Sequence, residues 1–160
     1  KKTNSNIDQV NNMIIWGNHS PTMYPDVENA TMNDESISSI INDMNWVENE
    51  FLPTVQQRGK AVIDARGASS ATSAAKAALD TVIACENATD VNNSFSAAVE
   101  SDGSYGVPEG LICGFPLITD SDGNVTIKQG LELSEFAKQK FQVSIDELSS
   151  EREAVKHLMK

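Results

Sequence analysis

Apolar residues occur in short runs and in helical stripes along the chain. The run at 13–16, Met-Ile-Ile-Trp, is typical of a buried strand. Gly17 follows and can adopt an unusual turn, and the tripeptide Asn-His-Ser at 18–20 gives the strand a polar tip. A rigid strand fixes the groups at its end while leaving them open to a ligand, so reactive side chains are common there. A turn at 24–26, Tyr-Pro-Asp, is predicted to stiffen the exit.

Three stretches have helical patterns. The first runs from Val47 to Arg66, where Pro53 suits a first turn. Gly59 is unusual inside it, costing about 1 kcal/mol relative to alanine, and a close approach by another group would explain it. The second begins after the hydroxyl-rich segment 69–72 and has a narrow alanine-rich face over 71–83. The third runs from about Ser134, a plausible N-cap, to the end of the chain.

Strand patterns lie between the second and third helices, at 95–100, 111–119 and 125–127. Gly114 and Pro116 interrupt the middle strand, which is therefore expected to be kinked or to lie at an edge. Segment 120–124, Asp-Ser-Asp-Gly-Asn, is a hairpin turn signal. Segment 28–47 is expected to be a short helix or an irregular excursion. Together these elements predict an α+β fold, with helices packed on a small, mostly antiparallel sheet.

Length and charge limit what the chain can bind. A chain of 160 residues, 17.3 kDa, is expected to form one domain with its own core. The formal net charge of -11 argues against nucleic acid and anionic membranes as partners, because binding phosphate requires a basic face. Cys85 and Cys113 match no metal spacing, and both are predicted to be reduced thiols of an intracellular protein.

His19 is the candidate reactive group, since an imidazole titrates near neutral pH. On spacing alone, a histidine that only hydrogen-bonds at a turn is the commoner occupant of such a position. The longer string changes this balance. Ile14-Ile-Trp-Gly-Asn-His-Ser20 with Tyr24-Pro-Asp-Val27 resembles malate dehydrogenases of the cytosolic type, in the lactate/malate dehydrogenase family. Further matching blocks follow in the family's order: Thr54-Val-Gln-Gln-Arg-Gly59, Ala61-Val-Ile63, Ser69-Ser70, Ser73-Ala-Ala-Lys-Ala77 and Ser104-Tyr-Gly-Val-Pro108.

The resemblance implies particular roles for several residues. His19 would be the catalytic proton acceptor in the reversible oxidation of L-malate to oxaloacetate. Ser70 and Gly59 would lie beside the substrate, although plain helix capping is an equally good explanation for the serines at 69 and 70. Arg58 and Arg66 match no carboxylate clamp of the family, and the family's partner aspartate and clamping arginine have no counterpart here.

The resemblance covers only the C-terminal half of the family's enzymes, so residues 1–160 are expected to be a substrate-binding, catalytic C-terminal domain. No G-x-G-x-x-G segment follows a strand, so the NAD-binding Rossmann domain is expected to be absent from this chain. NAD would then be bound by an N-terminal domain, and the isolated chain is predicted to be inactive.

Two functions of different classes stay open. The first is the C-terminal domain of a cytoplasmic, homodimeric, NAD-dependent malate dehydrogenase, with lactate dehydrogenase as a less favoured relative. The alanine-rich face at 71–83 could form part of the dimer contact. The second is a non-catalytic paralogue or fragment that acts as an oligomerisation or interaction module.

Overall fold

A computed structural model of the chain describes residues 2–3 and 6–158. The fold is α+β, as predicted, with short antiparallel strands and helices of mixed length. The strands are β1 Val10–Asn11, β2 Ile14–Trp16, β3 Tyr24–Asp26, β4 Thr31–Met32, β5 Glu35–Ser36, β6 Phe95–Glu100, β7 Ile112–Thr119 and β8 Val125–Ile127. The α-helices are α1 Ile37–Ile41, α2 Met44–Trp46, α3 Leu52–Gln56, α4 Arg58–Arg66, α5 Thr72–Glu86 and α6 Glu135–Val155. None of the helices in the described part of the chain is long and apolar enough to cross a bilayer.

The strands form three small antiparallel sheets, ordered β1-β4-β5, β2-β3 and β6-β7-β8. The second and third sheets are joined where the end of β2 meets β7. There the amide of Gly114 donates to the carbonyl of Gly17 at 2.8 Å, and the reverse bond is 3.2 Å. This junction holds the strand with the polar tip against the longest strand of the fold.

Strand β7 lies in the middle of its sheet, so the edge alternative of the prediction is wrong. A Cβ on Gly114 would lie 2.5 Å from the carbonyl oxygen of Ile15, so glycine permits the close approach of β2. Pro116 accepts from the amide of Lys128 at 2.9 Å. The nitrogen of Pro116 faces the same edge of β7 as this carbonyl, at a position between the Gly17 junction and the pairing with β8. No hydrogen bond of the sheet requires an N–H group there, so proline is tolerated.

Segment 24–26 is also corrected, because it forms strand β3 rather than a turn. Ile14 faces Asp26, and Trp16 faces Tyr24 across the β2–β3 pair. Segment 28–47 holds the two-strand hairpin β4–β5 followed by α1, so the expected short helix is present with strands that the sequence pattern did not indicate.

The core is one cluster around Trp16, which is fully buried. Its ring makes an edge contact with Tyr105 at a centroid distance of 4.7 Å and a tilted contact with Phe141 of α6 at 5.1 Å. The strand predicted from the run at 13–16 is therefore the centre of the packing. The other large, fully buried side chains include Tyr24, Phe115, Ile14 and Leu117.

The first predicted helix is longer and less regular than the sequence indicated. Helical backbone starts at Met44, continues through a π-helical segment, Val47–Phe51, and α3, and breaks at Gln57 before α4. The π-helical segment ends two residues before Pro53, whose missing N–H and bulky ring disrupt regular α-helical pairing. The wider turn lets the chain pass the proline without ending the helix.

Helices α4 and α5 form a helical arm, residues 58–88, which is largely exposed. On α5, Leu79, Val82 and Ile83 are 59%, 57% and 50% exposed. The arm is attached at its C-terminal end, where the hydroxyl of Thr119 donates to the carbonyl of Ala84 at 2.8 Å. The alanine-rich face expected to pack closely is thus uncovered by this chain.

Helix α6 crosses the body of the protein and begins as predicted. The hydroxyl of Ser134 accepts from the amide of Ala137 at 3.2 Å, as an N-cap does. The buried face of α6 includes Phe141, Ser144 and Ile145. The helix ends at Val155, before a short 3-10 turn at Lys156–Leu158, and the final residues 159–160 lie outside the described part of the chain.

Candidate functional site

The polar tip of β2 lies at the surface on a tightly constrained backbone. Gly17 has a φ of +94°, and a Cβ there would lie 2.1 Å from the hydroxyl oxygen of Ser144. Only glycine therefore fits where β2 passes helix α6. His19, two residues further on, is exposed at a bend. The structure thus places the candidate proton acceptor at the open end of a buried strand, as predicted.

We call residues 18–22 the histidine loop, and α6 holds it through a polar network. The carboxylate of Glu147 accepts from the side chains of Asn18 at 3.2 Å, Thr22 at 2.6 Å and Ser20. The hydroxyl of Ser144 accepts from the backbone amide of Asn18 at 2.7 Å. These donors hold the pKa of Glu147 below its ordinary value, with Ser20 the largest contributor and Thr22 next.

A second buried network fixes β2 against β3. The carboxylate of Asp26 is fully buried and accepts from Trp16 Nε1 at 3.0 Å, from the amide of Glu28 at 2.8 Å and from Asn29 Nδ2 at 2.8 Å. A buried carboxylate that accepts several hydrogen bonds is stabilised, whereas one left unpaired would be costly. The strand that carries His19 is therefore locked at its side chains as well as its backbone.

Tyr24 lies beside this network without a partner for its hydroxyl group among the described residues. Its ring packs edge-on against Phe136 of α6. Burial raises the pKa of Tyr24 strongly, and the carboxylates of Asp26 and Glu28 raise it further. The phenol is therefore neutral and serves in packing rather than proton transfer.

Gly59 and Ser70 lie on the helical arm and are both exposed. Nothing lies within 4 Å of a Cβ built on Gly59, so no group of the described chain makes the close approach that the sequence suggested. Helix α5 has Ala71 as its N-cap and no side-chain cap bond, so the capping explanation for Ser70 is wrong. No hydrogen bond among the described residues joins either position to His19.

The two arginines considered as possible carboxylate ligands lie on the helical arm. Arg66 donates to the carbonyl of Ser69 at 2.9 Å, and both Arg58 and Arg66 are exposed on the arm. Within the described residues there is no group of histidine, cysteine or acidic side chains that could hold a metal ion. Cys85 and Cys113 are both free. Burial raises the pKa of the Cys113 thiol to about 11, so it is inert at neutral pH.

The sequence patterns did not single out Glu147, Ser144 or Thr22, because the network joins segments more than 120 residues apart. One signal was present in the sequence. Ser144 interrupts the apolar stripe of α6 and is fully buried, and a small polar residue on a buried helix face indicates a hydrogen-bonding partner.

Comparison with known proteins identifies relatives over nearly the whole chain. Residues 1–159 match the family profile described as lactate/malate dehydrogenase, alpha/beta C-terminal domain. A malate dehydrogenase of Cutibacterium acnes is 48% identical over 158 residues, which are 99% of this chain and 48% of that protein. The chain thus spans about half the length of the curated relative it matches.

Solved structures give the same result. The crystal structure of malate dehydrogenase from Naegleria fowleri has a TM-score of 0.89 and 38% identity, over 99% of this chain and 48% of that one. Lactate dehydrogenase of Trichomonas vaginalis, solved with NADH and oxamate, has a TM-score of 0.88 and 26% identity. The match covers 98% of this chain and 49% of the lactate dehydrogenase chain.

Proposed function

The chain belongs to the lactate/malate dehydrogenase family, whose C-terminal alpha/beta domain it matches, and we propose that it is the substrate-binding half of an NAD-dependent malate dehydrogenase. Its similarity to malate dehydrogenases at 48% and 38% identity supports malate and oxaloacetate over lactate and pyruvate as the substrate pair. The observation that carries the proposal is the position of His19, exposed at the end of a buried, doubly locked strand.

In this proposal His19 is the general base and acid. Malate oxidation breaks the O–H and C–H bonds of the substrate carbinol, and the neutral imidazole takes the hydroxyl proton while a carbonyl forms. In the reverse direction the imidazolium returns that proton to the oxygen of oxaloacetate. The hydride that leaves the substrate carbon needs an acceptor, and NAD supplies that chemistry when bound.

This chain does not fit the phosphates of NAD. Helix α6, the longest helix, follows β8 across a loop and has its N-terminus occupied, because Glu28 accepts from the amide of Ser134 at 3.3 Å and from its hydroxyl at 2.8 Å. A carboxylate there repels a second anion. The formal charge of -11 works in the same direction. We therefore assign NAD to a separate N-terminal nucleotide-binding domain.

The helical arm supports a composite site. Gly59 and Ser70 face open space, and the apolar face of α5 is uncovered, as expected for surfaces that meet another domain or a second copy. We assign Gly59 and Ser70 to the substrate side of the assembled cleft and the α5 face to a homodimer contact. Two free cysteines accord with a cytoplasmic location.

The test compares two proteins, the 160-residue chain and the product of its complete reading frame. We expect malate-dependent reduction of NAD by the product of the complete frame and no turnover by the chain alone. His19→Gln should lower kcat by about 10³-fold, since general acid–base groups contribute roughly 10²–10⁴.

His157→Gln is the matched control, because His157 is the other histidine and lies in the 3-10 turn at Lys156–Leu158, far from the tip of β2 in sequence. Equal activity of the His19 variant and the parent would contradict the proposal. A complete frame that encodes no glycine-rich strand–loop–helix would favour the alternative, an oligomerisation or interaction module.

A further inference from the structure

One carboxylate of the last helix holds the residues on both sides of His19. The side chain of Glu147 accepts from Asn18, which precedes the histidine, and from Ser20, which follows it. Thr22 adds a third donor at 2.6 Å. We propose that Glu147 is a positioning residue that fixes the loop bearing the proton acceptor for catalysis, an inference that rests on the proposed function of His19.

The backbone of the loop is held at the same face of α6. Ser144 lies one helical turn before Glu147 and accepts from the amide of Asn18 at 2.7 Å, while its hydroxyl oxygen lies 3.1 Å from that of Thr22. Glu151, one turn further, accepts from Asn18 Nδ2 at 3.1 Å. Three successive turns of one helix therefore contact the histidine loop, and Glu147 is the group with the most donors.

The loop has no apolar anchor of its own. Residues 18–22 are half-buried or exposed, and none of them belongs to the hydrophobic core cluster. Below the loop, β2 is fixed independently by Trp16, Asp26 and the Gly17–Gly114 junction. Removing the Glu147 contacts thus leaves the core intact and frees only the loop, which separates a positioning role from a purely structural one.

An ionised Glu147 carboxylate makes stronger hydrogen bonds to the loop than a neutral group would. Hydrogen bonds to a charged acceptor are about twice as strong as neutral ones and are geometrically tighter. Glutamine at position 147 would keep the size but replace one acceptor oxygen with a donor amide. The donors of Asn18, Ser20 and Thr22 all meet Oε2 of Glu147, where the glutamine oxygen can still accept, so the substitution removes the charge of this central acceptor and weakens its bonds to the loop.

The test uses Glu147→Gln in the product of the complete reading frame. We expect kcat to fall by about 10-fold or more while KM for malate changes less than about twofold, because misplacing a catalytic group by a fraction of an ångström affects the transition state most. Thermal unfolding of the same protein should shift only slightly.

Asp146→Asn is the matched control, since Asp146 is the neighbouring acid of α6 and its bond is to Gln142 of the same helix. It removes the same charge without touching the loop and should leave kcat unchanged. Ser144→Ala, a second variant, should speed hydrogen exchange at the Asn18 amide of the 160-residue chain, and Glu147→Gln should do so at Ser20 and Thr22.

The outcomes separate the two proposals. An inactive parent protein contradicts the proposed function, and this result does not depend on the Glu147→Gln variant. An active parent whose Glu147→Gln variant keeps full kcat overturns the positioning role. An equal loss of kcat in the Asp146→Asn control also overturns the positioning role. The same holds for an effect on KM alone, and for a loss of activity that equals the loss of folded protein.

Discussion

The body of the protein, meaning the described residues outside the helical arm, differs from the arm in how much of its side-chain surface is buried by this chain. In the body, Trp16, Phe115 and Cys113 are fully buried, and β2 is held by backbone and side-chain bonds. In the arm, Leu79 and Val82 are more than half exposed, and the root at Thr119 is the main polar attachment. The body therefore has its own core, whereas the arm buries little apolar surface against the rest of the described chain.

The same difference divides the candidate site. His19 is set by the body, since its loop is bonded to α6 and its strand to β3 and β7. Gly59 and Ser70 lie on the arm, where the chain gives them no neighbour that defines a pocket. The part of the proposed cleft that carries His19 is thus pre-organised in this chain, and our proposal assigns completion of the other part to contacts from outside it.

The largest contrast is expected for the two thiols. Cys113 is fully buried in β7 and its pKa is raised to about 11, so alkylation there requires the body to open. Cys85 is half-buried near the end of α5. We expect iodoacetamide to label Cys85 at least about 10³-fold faster at neutral pH, as global stability of a few kcal/mol predicts. Mass spectrometry with Cys85→Ser as control checks this, and comparable rates would mean that the body is not closed.

The next contrast is in apolar truncation. Trp16→Ala should lower the free energy of unfolding by about 3–5 kcal/mol, because it empties the centre of the core. Leu79→Ala, at a 59% exposed position of the arm, should cost less than about 0.5 kcal/mol in the isolated chain. Urea denaturation measures both. Should Trp16→Ala fail to fold, Trp16→Phe gives a smaller loss of the same sign, and a Leu79 cost that equals it would remove the distinction between the regions.

Two glycines provide a contrast of opposite signs. Gly114→Ala should destabilise by about 1–3 kcal/mol, since the new Cβ would press on the backbone of β2. Gly59→Ala should stabilise by up to about 1 kcal/mol, because its helix has open space there. Differential scanning calorimetry of the 160-residue chain should give Tm shifts in opposite directions. A destabilised Gly59 variant would show that the arm is already covered.

The smallest effect concerns pH. Because the folded pKa of Glu147 lies below its ordinary value of 4.5, its contribution is present above that value and is lost as the pH falls through the folded pKa. The free energy of unfolding of Glu147→Gln should therefore be lower than that of the parent by less than about 1 kcal/mol near neutral pH. The two curves should converge as the pH falls from the ordinary value through the lower pKa of the folded state. A gap that is constant with pH would exclude the charge of Glu147 as its cause.

Local patterns in the sequence predicted the elements whose formation depends on neighbouring residues. The buried run at 13–16, the hairpin at 120–124 and the Ser134 cap are each encoded within a few residues, and all three are found. The place of β7 in its sheet was predicted wrongly. Its Gly114 and Pro116 are typical of an edge strand when the sequence is considered locally. In the structure, the close approach of β2, from a distant part of the sequence, explains the glycine instead.

The candidate site divides in the same way. The position of His19 at a strand end followed from its own neighbours, and the family resemblance supplied its role as a hypothesis. Glu147 could not be predicted, because its partners are 125 to 129 residues away in sequence and no local periodicity encodes them. Gly59 and Ser70 stay predictions, since their expected neighbours lie beyond what this chain contributes.

The bond between Asn18 and Ser144 spans 126 residues, so the histidine loop cannot be completed early during translation. Strand β2 leaves the ribosome long before α6 is synthesised, and domains fold as their segments emerge. A nascent chain stopped before residue 144 would carry the histidine without the helix that anchors its loop. Production of the finished loop is thereby tied to synthesis of the chain through residue 144 and beyond, and products terminated before that point are left without it.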